Sequence, residues 1–296
     1  MNSEKQHRSV WQHLFRTPHK LAWVSVEGLK TRYLEAGSST APTVILLHGA
    51  AGSLENFFAN IAEYARHFHV LALDMVGSGW TDKPDYPYTP EVYIQHLRGF
   101  MDALGIERAA LVGNALGATV SVYFARAWPE RVSRMVLVCT GSIITDQAAF
   151  DHFVAGVKTR RSAAATDPTW DSLQQIFKNL ILKPEDILDE LIALRLEIYQ
   201  TDDMRRAMPH LFATAVGDTC LSHEEWAAIQ TPMLLVAPVD APNPMFVDNA
   251  RQIAKLCTNA QVVEIPGCAL WAQYEQAGLF HSASIPYLLE EAAIAA

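Results

Sequence analysis

The chain has 296 residues, of which 50% are hydrophobic and 19% charged, with a formal net charge of −9. This composition excludes a disordered or fibrous chain, and its acidic balance argues against a dedicated nucleic-acid surface. The length suits one α/β core carrying one insertion. The four cysteines, Cys139, Cys220, Cys257 and Cys268, show neither C-x-x-C nor metal-ligand spacing. They are expected as reduced, mostly buried thiols in a cytoplasmic protein, with no metal and no cofactor. The opening MNSEKQHRSVWQHLF lacks the apolar stretch of a signal peptide, and no run approaches the ~18 apolar residues of a membrane span. The basic residues Lys5, Arg8, Arg16 and Lys20 are read as a solvated arm, with Trp11, Leu14 and Phe15 docking on the body.

In chain order, two β-like runs within Leu21 to Glu35 are split by Glu27-Gly28, a plausible hairpin. Thr43 to Leu47 is a continuous apolar run, as a strand buried on both faces requires. A glycine loop from His48 to Ser53 follows, then helical spacing from Leu54 to His67. His69 to Asp74 is the next buried strand. After the breaker-rich stretch around Pro84, Pro90 to Leu104 reads as an amphipathic helix with proline in its first turn. Ala109 to Gly113 is a strand, Leu116 to Trp128 a helix, and Arg131 to Cys139 a strand. This alternation implies a mostly parallel central sheet with helices on both faces.

Between Gly141 and Gln230 helical patterns dominate: Gln147 to Arg161, Thr169 to Leu182, Glu185 to Gln200 and Asp202 to Ala215. Strand character returns at Pro232 to Ala237 and Gln261 to Ile265, with a helix from Met245 to Leu256 between them and another after Trp271. The expected division is an α/β core over 1–141 and 231–296, with an inserted helical cap over 142–230.

The stretch LVGNALGATV, Leu111 to Val120, carries the most chemistry. Gly113-Asn114-Ala115-Leu116-Gly117 fits the G-x-S-x-G turn between strand and helix except at its centre, where alanine replaces the nucleophilic serine. With His48-Gly49, Asp74-Met75-Val76-Gly77-Ser78-Gly79, Asp240 and the run Pro266 to Glu275, the chain from about Leu21 onward resembles the α/β-hydrolase superfamily. Its wording is similar to the C–C hydrolases of meta-cleavage products, which read GNS[ML]GG at the turn and P-G-C-G-H-W-A-Q-x-E near the end. The resemblance implies an α/β-hydrolase fold.

Two departures fall where hydrolytic chemistry would sit. Ala115 stands at the nucleophile position and Leu270 at the histidine position. Loss of the nucleophile or base of a serine hydrolase costs on the order of 10⁶ in turnover, roughly 8 kcal/mol. The resemblance assigns an oxyanion hole to the backbone N–H groups of Ala50 and Leu116, which survive either substitution. Asp240, the remaining acid, has two readings: a carboxyl group desolvated by Leu270 and acting directly, or a relic capping its own loop. Asn56 and Asn114 are candidate pocket residues. Arg195 resembles the family's substrate-carboxylate binder, its alternative being a surface ion pair with Glu197 or near Glu190. Trp271 is expected to line the cavity, His48 and Cys268 to be structural, and Asp74 with Gly77 and Gly79 to shape a turn.

Three functions follow. One is an atypical enzyme that binds a small carbonyl or carboxylate metabolite and performs isomerisation, epimerisation, elimination or decarboxylation. Another is a C–C or ester hydrolase silenced by engineered substitution, although Leu270, Ala269 and Ala237 together resemble drift. The third is a binder without chemistry. In each case the expected partner is a small molecule, with no nucleic acid or membrane; a homodimer is one option for the oligomeric state.

Overall fold

The computed structural model describes residues 9–211 and 219–290. Lys5, Arg8 and the last four residues of the helix expected from Asp202 to Ala215 lie outside the described residues. The strands are β1 (His19–Val26), β2 (Leu29–Ala36), β3 (Thr43–Leu47), β4 (His69–Leu73), β5 (Ala109–Asn114), β6 (Val132–Val138), β7 (Met233–Pro238) and β8 (Ala260–Ile265). They form one eight-stranded sheet in the order β1-β2-β4-β3-β5-β6-β7-β8. β1 and β2 make the hairpin turned at Glu27 and Gly28, β2 runs antiparallel to β4, and the remaining pairs are parallel. The continuous apolar runs become central strands: Val44 to Leu47 and Val70 to Leu73 are all 0% exposed. Burial of each Val, Leu or Ile side chain among them contributes about 1.5–3 kcal/mol.

The helices are α1 (Val10–Leu14), α2 (Phe58–Tyr64), α3 (Pro90–Ala103) and α4 (Leu116–Ala127), followed between β6 and β7 by α5 (Gln147–Thr166), α6 (Trp170–Lys178), α7 (Asp189–Tyr199), α8 (Asp202–Leu211) and α9 (His223–Ala227). α10 (Met245–Leu256), α11 (Ala272–Glu275) and α12 (Ala277–Leu289) complete the described chain. Side-chain caps explain several starts. Thr89 accepts the N–H of Val92 ahead of Pro90, Asp146 accepts that of Ala149, and Thr169 forms a capping box with Ser172.

Some elements differ from the sequence-based expectation. The helix expected from Leu54 begins as a 3-10 turn, because Asp74 Oδ1 holds the Leu54 N–H at 2.7 Å. The stretch after Trp271 breaks at Gln276, which leaves helical geometry (φ −125°, ψ 46°) while its amide donates to Gly267 O at 2.9 Å. Of Trp11, Leu14 and Phe15 only Leu14 is buried; Trp11 and Phe15 are 62% and 60% exposed. α1 is a single short helix, so only one side of it faces the body. Ser9 Oγ and the Val10 N–H donate to Glu190 at 2.7 and 2.6 Å, fastening this arm to α7.

Two buried histidines join loops to the sheet. His48 Nδ1–H donates to Gly49 O at 2.7 Å, and its Nε2 accepts the Met75 N–H at 3.0 Å. His96 Nδ1 accepts the Val76 N–H, so its Nε2–H faces the Thr31 hydroxyl at 2.9 Å. Burial pushes both down to about 4. Both rings stay neutral in the folded protein while histidines of the unfolded chain, with a pKa near 6.5, take up protons. Stability is therefore full above pH ~6.5 and falls as pH drops toward ~4, by up to about 3 kcal/mol for each histidine. Denaturant titrations across that window should show the fall, and His96→Gln should make it shallower; parallel slopes in the two proteins would remove His96 as a contributor.

Steric limits at two glycines give a second prediction. A Cβ at Gly117 would lie 2.0 Å from Leu47 O, whereas one at Gly278 would meet nothing within 4 Å. Gly117→Ala should lose about 3 kcal/mol or more of unfolding free energy, and Gly278→Ala should change it by less than about 1 kcal/mol. Equal denaturation midpoints for the two variants would contradict the close packing of α4 on β3.

Candidate functional site

The turn between β5 and α4 holds its geometry without a serine. Ala115 has φ 50° and ψ −108°, a left-handed conformation costly for any residue with a Cβ, by about 1–3 kcal/mol. Surrounding contacts hold it there. Its N–H donates to Val138 O at 2.9 Å, and its carbonyl accepts the Thr119 N–H at 3.1 Å. Gly113 and Gly117 let the strand and helix backbones touch, since a Cβ on Gly113 would lie 2.3 Å from the Gly117 carbonyl carbon. Non-glycine residues at positive φ recur nearby, at Ala51 (49°) and Cys139 (54°).

The opposite wall is the loop from His48 to Phe57, which a buried charge network anchors. Arg32, 5% exposed, donates through Nε to Asp74 Oδ2 at 2.7 Å and through Nη2 to Glu55 at 2.8 Å. Asp74 also accepts the N–H groups of Leu54 and Trp80. The Asp74–Gly79 motif thus fixes a turn and, through Leu54 and Glu55, the backbone that carries Asn56. Removing one partner of such a buried pair costs far more than the pair adds, because the other charge is left uncompensated.

These walls enclose a cavity of about 350 Å³. Ala50, Asn56, Asn114, Ala115, Leu116, Arg195, Leu270 and Trp271 all line it, so the structure brings together every site residue read from the sequence except Asp240. Arg195 is 3% exposed, donates to Asn56 Oδ1 at 2.9 Å and lies over the Phe177 ring, 5.4 Å from its centroid. The alternative of a surface pair with Glu197 or Glu190 is not what forms; Glu190 holds the first arm instead. Asn114 Nδ2 donates to Leu270 O at 2.9 Å, tying the turn to the loop after β8. Trp271 is 2% exposed and meets Phe177 edge-on, with ring centroids 5.5 Å apart.

Among the described residues, the N–H groups of Ala50 and Leu116 have no protein acceptor. Leu116 opens α4, where the first N–H groups lack an intrahelical partner. Asp240 lies elsewhere: its side chain is exposed, and Oδ2 accepts the Gly267 N–H at 2.7 Å. The arrangement caps the turn after β8, and Leu270 does not desolvate the carboxylate. His48, neutral and saturated by Gly49 and Met75, is structural. Burial pushes the Cys268 thiol up to about 12, which leaves it protonated and unreactive.

Several cavity residues were not anticipated from the sequence. Lys158 and Arg161 on α5 line it, as do Thr119 and Cys139. Arg161 donates to Ala50 O, and Tyr199 donates to Ala51 O at 3.4 Å. With Arg195 on Asn56, three side chains from the segment between β6 and β7 hold one loop. No aspartate, glutamate or histidine lines the cavity among the described residues, and among them no group of three His, Cys, Asp or Glu could hold a metal ion. The cavity is thus an apolar chamber with a few polar groups, of the size usual for small-molecule sites, and its charged lining among the described residues is cationic.

Comparison with known proteins agrees with this geometry. The family profile described as alpha/beta hydrolase fold matches residues 42–277. A 2-hydroxy-6-oxo-6-(2'-aminophenyl)hexa-2,4-dienoic acid hydrolase of Metapseudomonas resinovorans is 28% identical, the match covering 92% of this chain and 92% of the relative. A 2-hydroxy-6-oxo-6-phenylhexa-2,4-dienoate hydrolase of Comamonas testosteroni is 29% identical over 86% of this chain and 90% of its own. Among solved structures, a meta-cleavage product hydrolase superposes with a TM-score of 0.79 at 24% identity, covering 91% of this chain and 98% of its own. The chain belongs to the α/β-hydrolase family and resembles its branch of meta-cleavage product hydrolases.

Proposed function

We propose that this protein binds a small metabolite bearing a carbonyl and a carboxylate, and converts it without hydrolysis by isomerisation, epimerisation, elimination or decarboxylation. One observation carries the reading. Ala50 and Leu116, whose N–H groups have no protein acceptor among the described residues, line a cavity in which Ala115 and Leu270 stand at the nucleophile and histidine positions. In that arrangement the ligand carboxylate sits on Arg195, whose guanidinium fork suits it, and the carbonyl oxygen lies on the N–H groups of Ala50 and Leu116. Negative charge that develops on that oxygen, as in an enolate, is stabilised by donors that need no reorganisation.

The cavity favours reactions that reach an enolate without a side-chain base. In loss of CO2 from a 3-oxo acid, the bond to the carboxylate carbon breaks and its electron pair moves to the carbonyl oxygen; water then protonates the enolate carbon. The departing carboxylate must then be a group other than the one Arg195 holds. A second reading, a carrier or sensor that returns its ligand unchanged, is favoured by the position of Asp240 outside the cavity, since among the described residues no lining carboxylate or imidazole shuttles protons.

Incubation with 2-oxo and 3-oxo acids in deuterated water separates the two. The enzyme reading expects carbon-bound deuterium or CO2 loss by mass spectrometry, abolished by Arg195→Met with at least ~10-fold weaker binding. Ligand that binds yet is recovered unchanged across the panel would establish the carrier. Asp240→Ala should leave affinity and product yield intact; lost turnover with intact affinity would return this carboxylate to the mechanism.

Ester hydrolysis gives an independent check on the missing pair. Ala115→Ser with Leu270→His should gain hydrolysis of activated esters that neither single variant shows, because the nucleophile and its base act as a unit. An inactive double variant that still folds and binds would mean the chamber has diverged beyond these two positions.

A further inference from the structure

The first arm and the first hairpin leave one face of the sheet edge uncovered. β1 is the outermost strand and pairs with β2 on its inner side. Successive side chains of a strand point to opposite faces, and Val26 is buried on the face that α3 covers, where a Cβ at Gly99 would lie 2.7 Å from Val26 Cγ1. His19, Leu21 and Trp23 therefore project from the other face. Leu21 lies across from Leu34, which shares a core cluster with Leu14 of α1, and the rings of Trp11 and His19 have centroids 6.2 Å apart. Arm and strand thus form one surface. Nine large apolar side chains are exposed among the described residues, and four of them, Trp11, Phe15, Leu21 and Trp23, belong to it.

The charge of this end of the chain is opposite to that of the remainder. The first 30 residues hold five lysines and arginines against two glutamates, within a chain of net charge −9. Arg16 lies over the Phe15 ring, 5.1 Å from its centroid, and Lys30 over the Trp23 ring at 5.2 Å. Both are exposed, as is Lys20, which reaches Glu35 at 3.7 Å. Exposed indoles beside lysine and arginine suit the headgroup region of a bilayer, where the ring is buried and the cation meets lipid phosphate. A two-fold contact between copies would instead set these cations against each other.

We propose that the face formed by α1 and β1 docks the protein on an anionic lipid surface, with Trp11, Phe15, Leu21 and Trp23 entering the headgroup layer and Arg16 and Lys30 meeting the anionic lipids. No described helix is long and apolar enough to cross a membrane, so the contact is peripheral. It needs both parts of the patch, because a modest apolar area or a few cations alone gives only marginal binding. Ser9 and Val10 donate to Glu190, so the docked arm is bonded to α7, the helix that carries Arg195.

Cosedimentation of the full chain with vesicles tests this. The probes are vesicles of phosphatidylcholine alone and of phosphatidylcholine with ~30% phosphatidylglycerol. Binding to the second should be at least ~10-fold tighter, and should weaken as salt rises from about 0.05 to about 0.5 M. Trp11→Ser and Trp23→Ser should each weaken binding to anionic vesicles ~10-fold or more, whereas Trp170→Ser, which removes an exposed indole of α6, should leave it within ~2-fold. Arg16→Gln and Lys30→Gln should each cost ~5-fold on anionic vesicles and leave neutral ones unaffected. All five positions are exposed, and unfolding curves identify any variant whose loss reflects folding. No binding to either vesicle, equal binding to both, or an equal loss in Trp170→Ser would overturn the proposal. A dimer in light scattering that Trp23→Ser dissociates would overturn it as well and assign the face to a second copy of this chain.

Discussion

The approach of α4 to β3 governs the site. Gly117 packs so close to the Leu47 carbonyl that no side chain fits between them, and Gly113 packs equally close to Gly117. That contact forces the chain to reverse within one residue and holds Ala115 at positive φ. The strain cannot relax without separating the helix from the sheet. The conformation therefore persists whether residue 115 carries a hydroxyl or a methyl group, and with it the direction of the Leu116 N–H. In this protein the turn is an arrangement of the main chain, and its side chain is incidental.

Electrostatics divide the molecule in a similar way. A chain with net charge −9 encloses a cavity whose charged lining, among the described residues, is cationic. The acids that neighbour the site are committed elsewhere: Asp74 and Glu55 to Arg32, Asp240 to the Gly267 N–H, and Glu275 to the N–H groups of Ala269 and Leu182. Each is held by groups that keep it out of the cavity. The acidic exterior repels anions at long range, so the carboxylate recognition proposed above depends on short-range contacts within the chamber.

Much of the fold was legible in the residues. Short, β-branched apolar runs such as Thr43 to Leu47 read as strands covered on both faces, and Met245 to Leu256 carries its helix in its period. The turn at Ala115, with Asn56, Arg195, Leu270 and Trp271, was legible through resemblance, because each lies in or beside a recognisable string. Arg161 and Lys158 were not. They belong to α5, whose hydrophobic period is weak, so the residues alone do not show which of its faces meets the cavity. Asp240 illustrates the complementary limit: its place in the chain was readable, but the bond that draws its carboxylate to Gly267 depends on two loops meeting after the chain folds. The break at Gln276 has the same origin, a side chain reaching back to Gly267 O across a turn.

The three bonds that reach the Ala50–Asn56 loop have a kinetic meaning. Arg161, Tyr199 and Arg195 grip it at Ala50, Ala51 and Asn56, all from helices on the far side of the cavity. Lifting those helices to widen the entrance would break these bonds and release the loop that carries Ala50. Under the proposed reading, entry and readiness are one event: a chamber open enough to admit a bulky molecule is a chamber with a slackened donor, and the donor is restored only as the helices reseat.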